Sequence, residues 1–127
     1  MKIEHIALNV EEPVLMARWY VEHLGLTVKR RMVDSPFAHF LAGDDDRVML
    51  EIYGNKNATV PDYRNADPAI FHIAFWSDNV ETDCRRLQSA GAQVVADFHQ
   101  INDDTFAMLR DPWGIPLQLV KRGTKMI

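Results

Sequence analysis

Cysteine is nearly absent from this sequence, which has a single one, Cys84, among 127 residues. A lone cysteine cannot form a disulfide within the chain, and it favours a reducing, cytoplasmic setting. Long apolar runs are also missing, since no stretch approaches the roughly 18 apolar residues that span a membrane. Polar Lys2 and Glu4 interrupt the N-terminus, and no apolar segment of a secretory signal follows. We therefore expect a soluble protein with no membrane partner.

Positive charge is scarce as well. The sequence has 14 Lys and Arg residues against 18 Asp and Glu residues, which gives a net charge of −4. No basic run stands out beyond the short Lys29–Arg31 cluster, so a nucleic-acid partner is not expected. Hydrophobic residues make up 47% of the chain, which is enough to bury a core. The length predicts one domain over residues 1–127.

The first half of the chain follows a strand–helix–strand–strand–strand order. Residues 3–10 alternate in the manner of a strand. A helix then starts near Pro13, which suits a first turn, and stops at Gly25. Three further strand-like stretches lie near 26–33, 38–42 and 48–53, with a turn at residues 43–46 between the last two. These elements define a first βαβββ module over about residues 3–53.

The same order restarts after a loop. Residues 54–69 contain Pro61, Pro68 and several polar residues, and they read as a linker. A second module over about residues 70–121 then has a strand at 71–76, a helix from about 79 to 90, and strands near 93–100, 105–110 and 116–121. Asp78 and Glu81 resemble a capping box at the start of the helix. The predicted fold class is α+β, with two tandem βαβββ modules, curled mixed sheets and helices outside.

A constant spacing relates the two modules. His72 follows His5 by 67 positions, and Gln118 follows Glu51 by the same 67. Ala17 and Cys84 keep this spacing in the helices, as do Tyr20 and Leu87. With 5 His in 127 residues, a chance match of this kind is rare. The spacing indicates an internal duplication.

The strand alternation places four polar residues opposite apolar faces. His5, Glu51, His72 and Gln118 each lie on the strand face that does not carry the large aliphatic residues. Taken singly, a strand histidine or glutamate is more often structural or solvated. Their matched positions favour a common site instead, because two imidazoles, a carboxylate and an amide oxygen suit a divalent Zn, Ni, Co, Mn or Fe ion. Further candidates for this face are His39, His99, Trp76, Trp113, Phe106, Met108 and Arg110.

Several motifs resemble the vicinal oxygen chelate superfamily, which includes glyoxalase I, methylmalonyl-CoA epimerase, extradiol dioxygenases, fosfomycin-resistance enzymes and bleomycin-resistance proteins. The resemblance covers Lys2 to about Lys121. The matching stretches are residues 3–10, Trp19-Tyr20 with Leu24-Gly25-Leu26, residues 71–75, and Arg110-Asp111-Pro112-Trp113-Gly114 before Leu117-Gln118-Leu119. These motifs identify the superfamily well and the reaction poorly.

The resemblance implies that His5, Glu51, His72 and Gln118 occupy the four metal-ligand positions. The fourth position is usually Glu in the superfamily, where it also transfers protons in glyoxalase-like enzymes, and an amide cannot do this. Glu51 is then the best candidate base. The same departure argues against an extradiol dioxygenase, which has its Glu at the fourth position rather than the second.

Two functions remain open. The first is a metal-dependent enzyme that performs isomerase, epimerase or lyase chemistry next to a carbonyl of a small molecule. The second is a metal-free protein of the bleomycin-resistance type that binds and sequesters a small molecule. Both histidines and Glu51 favour the first, because a metal-free binder does not need them. The resemblance and the open sheet edges also imply a homodimer, with ligands supplied by one chain or by two.

Overall fold

The computed structural model describes residues 1–126 and divides the chain into two compact units, Met1–Pro61 and Asp62–Ile127. The first contains β1 (His5–Asn9), α1 (Pro13–Leu24), β2 (Thr27–Arg31), β3 (His39–Ala42) and β4 (Met49–Tyr53). The second contains β5 (Ile73–Trp76), α2 (Val80–Ser89), β6 (Gln93–Ile101), β7 (Asp104–Arg110) and β8 (Pro116–Lys121). The predicted βαβββ order is confirmed in both.

Each unit forms one four-stranded mixed sheet. The strand order is β1-β4-β3-β2 in the first unit and β5-β8-β7-β6 in the second. The first strand of each unit runs parallel to the last, and the other pairs are antiparallel. The α+β class and the two-module architecture are therefore confirmed.

The strand registers preserve the 67-residue spacing. Ala7 pairs with Glu51 on β1 and β4, and Ala74 pairs with Gln118 on β5 and β8. His5 precedes Ala7 by two residues, and His72 precedes Ala74 by two residues. Since residues two apart share a strand face, each unit places one histidine diagonally across from Glu51 or Gln118.

The opposite sheet face carries the core. In the first unit, Tyr20 of α1 is fully buried, as are Leu41 of β3 and Ile52 of β4. In the second, Leu87 and Cys84 of α2 are likewise fully buried. The helix positions predicted to correspond are thus buried in both units, because apolar side chains on one helix stripe are removed from water against the sheet.

Two local predictions need correction. The cap of α2 is Asn79, whose side-chain oxygen accepts a hydrogen bond from the Thr82 amide at 3.0 Å, and not Asp78. The strand predicted from residue 71 begins at Ile73.

The later start of this strand is explained by a backbone hydrogen bond of the first unit. There the Met49 amide donates to the Glu4 carbonyl at 3.0 Å. The residue 67 positions after Met49 is Pro116, which has no N–H to donate, so the corresponding bond cannot form.

The predicted linker contains no helix or strand within the described part of the chain, and the boundary between the units falls inside it. Its start is fixed by Asn9, which is 8% exposed. The Asn9 side chain donates to the carbonyls of Asn55 and Ala58 and accepts from the Asn55 amide at 2.7 Å.

Over residues 1–126, no helix is both long and apolar enough to cross a membrane.

Candidate metal-ligand pairs in the two units

The first unit brings His5 and Glu51 together. His5 Nε2 lies 3.4 Å from Glu51 Oε2, and the two side chains are 39% and 21% exposed. The other ring nitrogen of His5, Nδ1, donates a hydrogen bond to Glu4 Oε2. A carboxylate can only accept, so this contact puts the proton on Nδ1 and leaves the Nε2 lone pair of the neutral ring directed towards Glu51.

Glu4 also changes the acidity of His5. Its hydrogen bond is the main cause that raises the pKa of His5 above the ordinary value, and the negative charges of Glu4 and Glu51 add to this. Desolvation acts in the opposite direction and offsets part of the effect. Strict strand alternation predicts Glu4 on the face opposite His5. Glu4 immediately precedes β1, which begins at His5, and its side chain contacts the ring of its neighbour.

The second unit positions His72 in a related way. His72 Nδ1 donates to the Pro68 carbonyl at 2.8 Å, so the lone pair of the neutral ring is again on Nε2. Gln118 is half-buried in β8, between Ala74 of β5 and Met108 of β7. A hydrogen bond from Nδ1 to a backbone carbonyl does not by itself identify a metal ligand. His99, which is not a candidate ligand, also makes one, to the carbonyl of Asp97 at 3.0 Å.

The pair in the first unit fits a divalent ion. Nitrogen and oxygen donors lie about 2.1 Å from such an ion, so two donors at the tetrahedral angle are roughly 3.4 Å apart. This equals the separation of His5 Nε2 and Glu51 Oε2. A carboxylate on the far nitrogen is also the usual support of a metal-bound histidine. Among residues 1–126, no group of three or more His, Cys, Asp or Glu residues is gathered in the arrangement of a metal site.

Only some of the further candidates for this sheet face lie on it, and Trp113 is outside the strands, between β7 and β8. His39 pairs with Ile52 and is 8% exposed, so it belongs to the helix-covered face and not to the face of Glu51. Arg110 donates to the carbonyls of Tyr63, Ala66 and Gly114, so it anchors the segment before β5 to the sheet. The remaining strand candidates, Trp76, Phe106, Met108 and His99, share the Gln118 face through the register of β5 to β8.

Residues 2–119 match the sequence model of the Glyoxalase/Bleomycin resistance protein/Dioxygenase superfamily. The chain therefore belongs to this superfamily, as its motifs predict. The match includes all four candidate ligands, the whole first module and all but the last two residues of the second. No curated protein shows significant sequence similarity to the chain.

Solved structures agree with this assignment. The structure of SMU.1112c is 27% identical, with a TM-score of 0.73 over 95% of this chain and 98% of that one. TnmS3, an antibiotic binding protein from a Streptomyces species, is 19% identical, with a TM-score of 0.71 over 94% of this chain and 93% of that one. A glyoxalase I mutant from Zea mays is 21% identical, with a TM-score of 0.72 over 95% of this chain but 45% of that one. The fold is thus shared by a ligand-binding protein and an enzyme.

Proposed function

We propose that the chain is a divalent-metal-dependent enzyme that performs isomerase, epimerase or lyase chemistry next to a carbonyl of a small molecule. The observation that carries this proposal is the geometry of the first pair. His5 Nε2 and Glu51 Oε2 are 3.4 Å apart, and the far nitrogen of His5 is held by Glu4. A carboxylate on the far nitrogen is the usual support of a metal-bound histidine, and the 3.4 Å between His5 Nε2 and Glu51 Oε2 is the separation of two ligands of one ion.

The proposed ligands are His5 and Glu51 from the first unit and His72 and Gln118 from the second. In this proposal the two pairs bind one ion of Zn, Ni, Co, Mn or Fe, and they come from one chain or from two chains of a homodimer. The donor chemistry is compatible with each of these metals. When bound, the ion polarises a substrate carbonyl and stabilises the enolate that forms after proton removal.

Glu51 is the proposed base because it is the only carboxylate among the four ligands. Its carboxylate takes the proton from the carbon next to the carbonyl and returns it to the same carbon, which gives epimerisation, or to a neighbouring atom, which gives isomerisation. Gln118 cannot exchange a proton in this way, so its role is to bind and orient. Glu4 is a positioning residue that acts through His5.

Four variants test the proposal by calorimetric titration with zinc and nickel. His5→Ala and His72→Ala should each remove most of the binding, because each deletes a nitrogen ligand. Glu51→Gln should retain part of the binding and lose proton transfer, measured as exchange of the substrate α-hydrogen with deuterated water. Gln118→Glu should bind more tightly, because it adds a negative charge beside the cation.

Matched controls separate the site from the surface. Gln88→Glu adds the same charge on the exposed face of α2, and His99→Ala removes a histidine of β6. Both should bind metal as the wild type does. Equal and weak binding by the wild type and His72→Ala would refute the metal site.

A second candidate function is supported by the exposed aromatic surface of the second unit. Trp76 is 48% exposed on the face that carries Gln118. An exposed indole of this kind suits a protein that binds a planar small molecule without converting it, and TnmS3 is an antibiotic binding protein with the same fold. This function would be favoured if the metal-free protein binds its ligand tightly and the protein loaded with each of the candidate metals does not exchange the α-hydrogen of that ligand.

The proposal also includes a homodimer. Within residues 1–126, the edge strands are β1 and β2 in the sheet of the first unit and β5 and β6 in the sheet of the second. The nine residues of β6 are mostly exposed, and such an edge readily pairs with another chain. Sedimentation at tens of micromolar protein, a concentration on the order that reveals micromolar association, should give twice the mass of one chain. A strict monomer there would contradict it.

A further inference from the structure

His72 follows a stretch of chain that contains neither helix nor strand. Residues 62–71 lead from the start of the second unit to His72, and β5 begins only at Ile73. A residue outside a strand ladder is not oriented by strand register. The direction of the His72 ring therefore depends on the contacts that hold this stretch, which we name the approach segment.

The approach segment is bound to the end of β7 and the turn that follows it. Arg110 Nη1 donates to the Tyr63 carbonyl at 2.8 Å, and Arg110 Nη2 donates to the Ala66 carbonyl at 2.6 Å. In the reverse direction, Arg64 Nη2 donates to the Pro112 carbonyl at 2.6 Å. Hydrogen bonds from a charged donor are stronger than those between neutral groups, so this anchor is a firm one.

Gly114 lets the approach segment lie directly against the turn. Its φ of 96° is a left-handed value that glycine adopts readily. A Cβ at this position would lie 2.3 Å from Arg64 Cγ and 2.9 Å from Arg64 Cα. Close packing therefore fixes the place of the segment together with the hydrogen bonds of the two arginines.

The first connection from this anchor to His72 runs along the backbone. The carbonyl of Asp67, which follows the anchored Ala66, accepts a hydrogen bond from the Ile70 amide at 2.9 Å and closes a turn. This turn contains Pro68, whose carbonyl accepts from His72 Nδ1 at 2.8 Å. A displacement of Ala66 therefore moves the carbonyl that faces the imidazole.

The second connection runs through side chains. The ring centroid of Tyr63, whose carbonyl Arg110 binds, lies 6.4 Å from that of Phe71. Aromatic rings at this distance attract each other. Phe71 is half-buried and directly precedes His72, so the start of the approach segment is linked to its end, beside the candidate ligand.

Arg110 itself projects on the sheet face that carries Gln118. It lies two residues from Met108 on β7, and Met108 pairs with Gln118 of β8. One guanidinium therefore links the face of one candidate ligand to the segment that orients the other. Arginine suits this task because its planar group has five fixed donors and keeps its charge, so it can bind several carbonyls at once.

We propose that Arg110 is a positioning residue that acts on His72 through the approach segment. It fixes the Pro68 carbonyl opposite Nδ1, which holds the proton of the neutral His72 ring on that nitrogen and leaves the lone pair on Nε2. The assignment of Nε2 as a metal ligand rests on the proposed function, whereas the fixed tautomer does not.

NMR of the imidazole nitrogens reads the tautomer of His72 at about pH 8, above the range in which a free histidine is protonated. Arg110→Met removes the guanidinium and keeps an unbranched side chain. We expect the ratio of the Nδ1–H form to the Nε2–H form of His72 to fall by about two- to tenfold, the effect of weakening one hydrogen bond. His99 is the internal reference and should not change, because its Nδ1 bonds to the Asp97 carbonyl of β6.

Two further variants make the result independent of the stability of Arg110→Met. Arg64→Met removes an exposed arginine and its bond to the Pro112 carbonyl, so the His72 ratio should fall by a smaller amount. Arg18→Met removes an exposed arginine of α1 and should match the wild type. An unchanged ratio in Arg110→Met, or in Arg64→Met if the first variant does not fold, would overturn the proposal, as would an equal change at His99.

Calorimetric titration with zinc separates this proposal from the metal site. If His72 is a ligand, Arg110→Met should bind zinc about tenfold more weakly, the lower end of the range for outer support of a metal-bound histidine, because Arg110 acts through Pro68. The affinity of the wild type in this variant would overturn the role of Arg110 in metal binding. Equal zinc affinity of the wild type and His72→Ala would refute the metal site, and the tautomer ratio would then decide the positioning role alone.

Discussion

The contact between Glu4 and His5 gives the sharpest test of the proposed metal site outside the proposed ligands themselves. Glu4→Gln keeps the size and the hydrogen-bonding oxygen of the side chain but removes its charge. The contact to His5 Nδ1 is then weaker and no longer restricted to one tautomer, because an amide can also donate. We expect metal affinity to fall without a large change in fold stability.

The expected size of the loss in metal affinity follows from the exposure of Glu4 and His5. Loss of the carboxylate behind a metal-bound histidine typically lowers affinity by about 10- to 100-fold. Glu4 is 65% exposed and His5 is 39% exposed, so water and salt screen much of the charge. The lower limit, about tenfold, is therefore expected. The effect should shrink as the pH falls, because Glu4 also raises the pKa of His5 and favours the proton that competes with the metal.

The measurement is calorimetric titration with zinc at pH 8 and again at pH 6. Glu11→Gln is the matched control, since Glu11 is exposed just beyond the other end of β1. This control should bind zinc as the wild type does at both pH values. Equal affinities for Glu4→Gln and Glu11→Gln at pH 8 would refute the reasoning, because Glu4 would then have no influence on the ligand.

Three further predictions concern the scaffold. Asn79→Ala should lower the free energy of unfolding by about 1 kcal/mol through loss of the α2 cap, whereas Asp78→Ala should cost less; urea denaturation of both compares them directly. Asn9→Ala should cost about 1–3 kcal/mol in the same assay, because the backbone groups that it binds lose their partners, and an unchanged midpoint would contradict this. Arg122 and a backbone amide lower the pKa of Asp104. Their contribution to the free energy of unfolding is therefore present above about pH 4 and is lost as the pH falls through the pKa of the folded state. Asp104→Asn should make the fall in stability at acidic pH less steep, and an unchanged acidic side of the stability profile would count against this.

Much of the fold follows from the sequence because the duplication shows each element twice. The alternation around His5 and His72, the glycine after α1 and the 67-residue spacing together predict the order of all ten elements. The errors occur where one backbone group decides the outcome. Pro116 lacks an N–H and delays the start of β5, and Asn79 rather than its neighbour supplies the cap. A periodic pattern does not carry information of this kind.

The candidate site is predictable only in part. Alternation correctly puts Glu51 and Gln118 on the face away from the core, because a strand side chain has only two directions. It does not predict the contact of Glu4 with His5, since adjacent strand residues are expected on opposite faces, and it cannot distinguish His39 from His99 without the pairing of β3 and β6. Register depends on contacts distant in sequence, so these assignments require the folded chain.

Because Pro116 has no backbone N–H, the two copies of the module hold their histidines in different ways. His5 is part of a strand, whereas His72 lies just outside β5 and depends on the Pro68 carbonyl for its orientation. A change of length or sequence in residues 54–71 can therefore move one imidazole while both sheets stay intact. The first copy thus holds its histidine within a strand, whereas the second copy holds its histidine through a contact with a loop. Loops are the part of a protein that accepts insertions most readily, so the orientation of His72 can change without a change in the sheet.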